Sequence, residues 1–316
     1  MFPEVGILYI FIRICEGEKM ASSGIGGQAV MEGVMMRKDD LYAVAVRKPD
    51  QTIAVEKKEY HSFCKNEALR KVPIIRGIIN FVDSLILGMG TLTYSASFFE
   101  EEETDEKKEK AVMGFTVCLS ILLAVAIFMV LPFGISLLFS KVVASKTVVI
   151  LLEGIVRLAI FVVYILLISQ LKDIQRVFMY HGAEHKCINC IEHGMELTVE
   201  NVRKSSREHK RCGTSFLFFV VIISIIATLF IRVDGRLLRL ALRLLVIPLV
   251  AGVSYEFIRL AGRSENPVVN FLSKPGLWMQ KMTTREPEDD MIEVGIASVE
   301  AVFDWKEYIE NEDNFR

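Results

Sequence analysis

The chain has 316 residues, of which 52% are hydrophobic, and its mean hydropathy is +0.38. Soluble domains have a lower mean hydropathy, so the apolar residues must be concentrated or lipid-facing. A formal net charge of only -2 gives no support to a nucleic-acid partner. The cysteines are scattered, which argues against a disulfide framework and favours a reduced compartment. They are Cys15, Cys64, Cys118, Cys187, Cys190 and Cys212.

The N-terminal stretch resembles a signal peptide only superficially. "MFPEVGILYIFIRIC" lacks a basic start, a full-length apolar stretch and a small-residue cleavage site. The following "EGEKM" is what a translated ribosome-binding site would encode, so translation from Met20 is the alternative to translation from Met1. Residues 1–19 are therefore a candidate non-native extension and are set apart from the predicted site.

Residues 20–65 are predicted to contain a β-hairpin. The stretch Gly24–Arg37 mixes glycines with small apolar residues and opens the folded region. After it, "LYAVAVRK" and "TIAVEKKEY" alternate apolar and polar residues on either side of Pro49-Asp50-Gln51. Alternation around a turn sequence is typical of a hairpin.

Residues 66–110 are predicted to form an interfacial helix and a charged linker. Apolar residues recur at helical spacing with charged ones among them, as in a helix along a membrane surface. A re-entrant or fifth spanning segment near Ile74–Tyr94 is the alternative. The linker, "EEEETDEKKEK", carries no expected chemistry.

Four further runs are apolar and long enough to cross a bilayer, which takes about 20 residues. They predict an α-helical integral membrane protein with about four transmembrane helices within residues 111–260. Between the second and third helix lies a polar loop, 171–212, and residues 261–316 form a C-terminal tail. The runs are Ala111–Ser140, Thr147–Gln170, Gly213–Ile231 and Leu237–Ile258.

Four crossings place both termini and the 171–212 loop on one side. That side is rich in basic residues near the membrane, so the positive-inside tendency makes it the cytoplasm. These residues are Lys107, Lys108, Lys110, Lys172, Arg176, Lys210, Arg211, Arg259 and Arg263. An opposing set would flank or enter the fourth span from outside, where it would snorkel or bind lipid headgroups. It comprises Arg232, Arg236, Arg239 and Arg243.

The 171–212 loop carries "YHGAEHKCINC", with His181 and His185 four residues apart and Glu184 between them. On a helix these histidines share a face and can reach one metal ion. His-x-x-Glu-His is the reversed zinc-protease signature, in which two histidines bind zinc and the glutamate acts as general base. The pattern indicates a candidate zinc site with Glu184 as its catalytic residue.

Further along the loop, "EHKRCGT" adds His209 and Cys212, which complete a set of zinc-type ligands. Four bound ligands would make a closed, structural site, whereas three would leave a position open for water and chemistry. A glutamate could replace one ligand. Hydrogen-bonding histidines without a metal are the simplest alternative. The candidate substitutes are Glu192, Glu196 and Glu256.

Other polar residues have more ordinary interpretations. Cys187 and Cys190 form a Cys-x-x-Cys without a matching second pair, so we interpret the spacing as incidental. Glu153 and Arg157 lie at i and i+4 inside the second span, where a structural ion pair is expected more than a polar pathway. Glu32 and Arg37 are a further carboxylate and a further anion-binding group, or simply turn residues.

Several stretches, in the same order, resemble the YqhQ-like family from about residue 24 to 300. The resemblance implies a bacterial multi-span membrane protein of undetermined function, from a family whose members are sometimes labelled as predicted metal-dependent enzymes. Cys187 and Lys210 depart from the family pattern, whereas His209 and Cys212 keep it. The stretches are "GGQAVMEGVMMR", "YHGAEHKCI", "ELTVENVRKSSREHKRCGTSFL", "AGVSYEFIRLAGR" and "PGLWMQKMTTREPEDDMIEV".

The leading hypothesis is a membrane protein with a zinc-type metal site at the cytoplasmic surface of the bacterial cell membrane. If it is an enzyme, Glu184 would activate a metal-bound water for hydrolysis of a peptide or a lipid. The alternative is a non-enzymatic assembly or regulatory factor for other membrane proteins, in which the histidines and cysteine only organise the loop. Transport ranks last, because the sequence shows no internal repeat or multiply broken helices. The expected partners are the lipid bilayer and other membrane proteins, with no nucleic acid.

Overall fold

The computed structural model describes residues 22–99, 106–231, 233, 235–264 and 266–311. The suggested extension 1–19, the alternative start Met20, and Cys15, Arg232 and Asp234 lie outside the described residues. The chain divides into two compact units. The sheet unit comprises residues up to Phe99, Ser169–Phe218 and Gly252 onward, and the helical unit comprises the rest.

A four-stranded antiparallel meander opens the sheet unit. The predicted hairpin is formed by β3 (Leu41–Arg47) and β4 (Ile53–Glu59), which pair from Arg47 opposite Ile53 outward. The glycine-rich stretch before it forms a second hairpin, β1 (Ile25–Val30) and β2 (Gly33–Lys38). The strand order is β1-β2-β3-β4, as expected for strands joined by short turns.

The core of the sheet unit lies between the sheet and three helices. These are α6 (Lys172–Glu192), α7 (Val199–Lys204) and α12 (Asp289–Val302). Side chains of β2 and β3 pack against Tyr180, Ile188 and Ile191 of α6 and against Met291 and Val299 of α12. The stretch expected to be a polar loop, 171–212, therefore contributes a central helix of the core.

The polar residues of α6 are buried because the backbone beside them satisfies their hydrogen bonds. The Lys186 ammonium donates to the carbonyl oxygens of Arg203 and Ser205, at 2.8 and 3.0 Å. The Asn189 amide donates to those of Ser206 and Glu208, at 2.6 and 2.9 Å. Buried polar groups are tolerated when they are paired in this way. The burial of this helix therefore could not be predicted from its polar composition.

The helical unit contains most of the four predicted membrane spans. The first is α3 (Glu106–Val125), a π-helical turn (Ala126–Val130) and α4 (Leu131–Phe139), and the second is α5 (Lys146–Ile168). The third is α8 (Gly213–Phe230). The fourth is divided into α9 (Arg236–Leu245) and α10 (Ile247–Ala261). All four spans were predicted within a few residues of these bounds.

A fifth helix, α2 (Ile75–Ala96), follows the short α1 (Glu67–Lys71) and is also long and apolar enough to cross a membrane. Its middle and end contact the sheet region. The Asp83 carboxylate accepts hydrogen bonds from the Tyr60 hydroxyl at 2.9 Å and the Phe63 N–H at 3.2 Å. The Ser95 hydroxyl accepts one from the Met31 N–H at 3.1 Å.

The start of α2 packs on α10 through a close approach of two glycines. A Cβ on Gly77 would lie 2.8 Å from the Gly252 carbonyl oxygen, so neither helix accommodates a side chain there. Gly252 precedes the end of α10 by nine residues, about 14 Å at the α-helical rise. The segment therefore begins part-way along α10 and returns to the sheet. Its length and composition also suit a fifth crossing, so the interfacial helix stays a prediction.

The C-terminal residues beyond 261 contribute further helices to the sheet unit. Besides α12 these are α11 (Pro267–Thr283) and the short α13 (Trp305–Glu310). Between α11 and α12, the extended segment around Arg285 lies against α6, and the Arg285 N–H donates to the Phe178 carbonyl oxygen at 2.9 Å. This segment helps to build the candidate site.

Candidate metal site

The two histidines of the His-x-x-Glu-His motif lie on one face of α6, as the spacing predicts. Their ring centroids are 4.4 Å apart, and the ring planes are inclined by 64°. His185 is buried and His181 keeps some exposure, so the pair lies just below the protein surface. A helical i, i+4 pair can approach this closely because its Cβ atoms project from the same side.

Backbone carbonyls hold both imidazoles in one orientation. His181 Nδ1 lies 2.9 Å from the Thr283 carbonyl oxygen, at the end of α11. His185 Nδ1 lies 2.6 Å from the Arg207 carbonyl oxygen. Since a carbonyl only accepts, each Nδ1 carries the hydrogen, and each Nε2 of a neutral ring keeps a free lone pair. This is the support that metal-binding histidines usually have.

Cys212 brings the third ligand atom to the pair from the residue before α8. Its Sγ lies 3.3 Å from His181 Nε2 and 3.4 Å from the Thr214 backbone N–H. The three residues His181, His185 and Cys212 each offer one ligand atom, and these three atoms lie within 4.8 Å of one another. Cys212, 27 positions after His185 in the chain, thus converges on the histidine pair.

The electrostatics of this triad favour a thiolate between two imidazoles. Burial by itself raises the pKa of the Cys212 thiol, but the two adjacent histidines outweigh it and hold that pKa well below its usual range. Burial likewise lowers the pKa of His185, yet the facing Cys212 thiolate and the Glu184 carboxylate raise it to about 9. The pocket therefore favours the deprotonated sulfur that a metal ion requires.

Glu184 faces the triad from the same helix. One of its carboxylate oxygens, Oε2, lies 3.8 Å from Nε2 of both His181 and His185. The side chain is buried against β1, where a Cβ on Gly27 would lie 2.7 Å from Glu184 Cγ. The second glycine of the "GGQ" sequence therefore provides the space for this carboxylate. Sequence reasoning missed Gly27, although a glycine within a strand often marks such a close approach.

The structure places His209 apart from the other three predicted ligands. Its Nε2 lies 3.2 Å from a Glu192 carboxylate oxygen, and its ring centroid is 5.8 Å from that of His185. The Glu192 carboxylate also accepts hydrogen bonds from Arg211 and from the Ser23 hydroxyl. These partners lower the pKa of Glu192 to about 2 although burial opposes them. In this geometry His209 bonds to Glu192 and does not lie with the other three ligands, so its role as a fourth ligand stays a prediction.

The remaining candidates belong to other contacts. Glu256 forms a bidentate ion pair with Arg76 and is not part of the triad. Cys190 Sγ faces the carbonyl oxygens of Met195 and Glu196, at 3.7 and 3.3 Å, and Cys187 packs against Gly295. The Cys-x-x-Cys spacing is thus the buried side of a helix, as interpreted.

Two charged residues of the N-terminal region also have defined partners. Glu32 accepts two hydrogen bonds from the Arg176 guanidinium, at 2.5 and 2.6 Å, and ties the β1–β2 turn to α6. Arg37 donates to the Asp39 carbonyl oxygen at 2.8 Å in an exposed turn. Neither side chain joins the triad. Glu32 is a turn residue, as in the simpler interpretation, whereas Arg37 lies in strand β2.

Comparison with known proteins shows the family of the chain. Residues 72–305 match the family described as "Protein of unknown function (DUF1385)". The chain is 36% identical over 286 residues to "Uncharacterized protein YqhQ" of Bacillus subtilis (strain 168), covering 86% of this chain and 90% of that relative. No solved structure matches the chain. The match includes α6, Cys212 and the Thr283 segment, and the chain therefore belongs to the YqhQ-like family of membrane proteins.

Proposed function

We propose that the protein is a metal-dependent hydrolase of the membrane surface, with His181, His185 and Cys212 as the ligands of a zinc ion. The observation that carries this proposal is the convergence of three ligand atoms within 4.8 Å of one another. Two imidazoles, each of which binds a metal in its neutral form, and a thiolate suit the borderline-soft character of zinc. Nδ1 support from backbone carbonyls fits the same interpretation.

Three protein ligands rather than four favour an enzyme over a structural clasp. Structural zinc sites are usually closed by four protein ligands, whereas catalytic sites keep one position for water or substrate. His209, the candidate for a fourth ligand, is engaged by Glu192 at 3.2 Å. This engagement leaves the non-enzymatic assembly factor as the second hypothesis, to be preferred only if His209 turns toward the metal.

The chemistry proposed for this site is hydrolysis of an acyl bond. A metal bound there supplies Lewis acidity to the reacting carbonyl. Glu184, 3.8 Å from both Nε2 atoms, is placed to accept a proton from a water as its oxygen attacks the acyl carbon. The same carboxyl group then gives that proton to the leaving amine or alcohol, so that the water is consumed across the cleaved bond. The site lies beside Cys212, the residue directly before the predicted span α8. This position suits a peptide or lipid substrate at the membrane surface.

The test is the metal content of the full chain, purified in detergent without chelators and measured by elemental analysis. We expect about one zinc per chain, and its loss in H181A/H185A and in C212S, since each removes a ligand. H193A is the matched control, because His193 is exposed at the end of the same helix. E184Q should retain the zinc, which separates a base from a ligand. Equal zinc in the wild type and H181A/H185A, or none after zinc is re-added, would refute the proposal.

We also propose that both termini face the cytoplasm. The described N-terminal residues, α6 and α12 share one compact unit, as an even number of crossings requires, and the basic residues near the membrane give the side. Alkaline phosphatase fused after the last residue should be inactive, whereas the same enzyme inserted between α4 and α5, near Val143, should be active in the periplasm. An active C-terminal fusion would overturn this orientation.

A further inference from the structure

A second polar cluster lies within the helical unit and is independent of the metal site. Arg157 of α5 donates to Glu153 Oε1 at 3.0 Å, and Arg243 of α9 donates to the same oxygen. All three residues are at least 95% buried. Two guanidinium groups thus share one carboxylate, and the cluster carries one positive charge in excess.

Glu153 is the one carboxylate within the described spans around this cluster. Residues 111–168, 219–231 and 235–251 contain a single acid, Glu153. The Nε atoms of Arg157 and Arg243 are buried and have no hydrogen-bond partner among the described residues. An ionised group in a membrane interior is costly unless it is paired, so this excess charge calls for an anion from outside the chain.

A cavity of about 290 Å³ lies beside these two arginines. Ser224 and Thr228 add hydroxyl groups to a wall that is otherwise apolar, including Phe128. Arg157 also donates to the Ser224 hydroxyl at 3.0 Å, which turns the guanidinium toward the cavity wall. A space with a cationic end and apolar sides suits a ligand with one anionic group and an apolar chain.

We infer that this cavity binds the phosphate of an anionic phospholipid through Arg157 and Arg243. Arg157 is near the middle of α5, a predicted span. The ligand therefore reaches Arg157 from the lipid bilayer and carries an acyl chain. The phosphate neutralises the excess charge and accepts the hydrogen bonds that the two Nε atoms otherwise lack. The cavity holds the head end, and the acyl chains extend among the surrounding apolar side chains.

The test measures lipid retained by the full chain, purified in a neutral detergent with equimolar phosphatidylglycerol and phosphatidylcholine, by native mass spectrometry. We expect phosphatidylglycerol to be retained about tenfold over phosphatidylcholine, as for a charge-assisted contact. R243M should abolish this preference and still fold, because Glu153 and Arg157 remain as a neutral pair. R239M is the matched control, since Arg239 bonds instead to the Val233 carbonyl oxygen.

A second variant keeps the inference falsifiable if R243M does not fold. E153Q removes the carboxylate that competes for the arginines, so the preference for phosphatidylglycerol should increase. Equal retention of the two lipids by the wild type, or equal losses in R243M and R239M, would overturn the inference. Displacement of the lipid by excess inorganic phosphate would overturn the assignment to a lipid, because a free anion would then suffice.

Discussion

Zinc added to the metal-free protein is expected to raise its free energy of unfolding by about 2.7 kcal/mol when free zinc is 100 times Kd. The physical reason is that the triad exists only in the folded chain, where α6 and the residue before α8 meet. Binding to the folded state alone shifts the folding equilibrium by mass action. The measurement is thermal unfolding of chelator-treated protein in detergent, with zinc titrated from below to above Kd.

Variants of the ligands decide whether this stabilisation arises at the triad. H185A and C212S should unfold at the same temperature with and without zinc, while H193A should respond as the wild type does. Magnesium should have no effect, because imidazole and thiolate ligands do not suit it. An equal response to zinc in H185A would place the binding elsewhere, with Cys187 and Cys190 as the next residues to test.

Substitution of Gly182 is expected to destabilise the protein and weaken zinc binding together. A Cβ at this position would lie 2.0 Å from the Arg285 carbonyl oxygen. Because that oxygen belongs to the backbone, α6 and the segment after α11 must separate. The shift would disturb the Thr283 carbonyl that orients His181, at 2.9 Å. We expect G182A to lower the free energy of unfolding by about 2 kcal/mol, within the usual range for overpacking.

The matched control is G90A on α2. Gly90 is helical and exposed, and a Cβ there would have no other atom within 4 Å. Alanine is favoured over glycine inside a helix by about 1 kcal/mol, so G90A should be neutral or stabilising. Thermal unfolding and zinc content of both variants are the measurements. A G182A protein as stable as G90A, with its zinc retained, would contradict the close contact described for Gly182.

The membrane spans were predictable because their signal is local. Each is a continuous apolar run whose length alone satisfies the bilayer requirement, and α5 and α8 begin within a residue of the predicted positions. The β3–β4 hairpin was equally local, since alternation and turn residues lie within one short stretch. The glycine-rich β1–β2 hairpin was not predicted, because its turn residue Glu32 has a φ of 48° without a glycine to signal it.

The interior of the sheet unit could not be read in the same way. Helix α6 contains Lys186, Asn189 and Glu192 within its buried part, so neither periodicity nor composition marked it as a core element. Its burial depends on carbonyl groups of residues 203–208, which lie on a different segment. Backbone acceptors cannot be recognised from the identity of side chains. In sequence, a polar helix of this kind therefore resembles a loop.

For the candidate site, the sequence by itself determined which residue types were available and that His181, Glu184 and His185 share a helix face. Only the tertiary structure decided that Cys212 joins them while His209 bonds to Glu192, and that Gly27 makes room for the carboxylate. The physical reason is the separation along the chain over which each interaction acts. A helical repeat acts over four residues, whereas ligand convergence depends on how α6, the Thr283 segment and the start of α8 pack together.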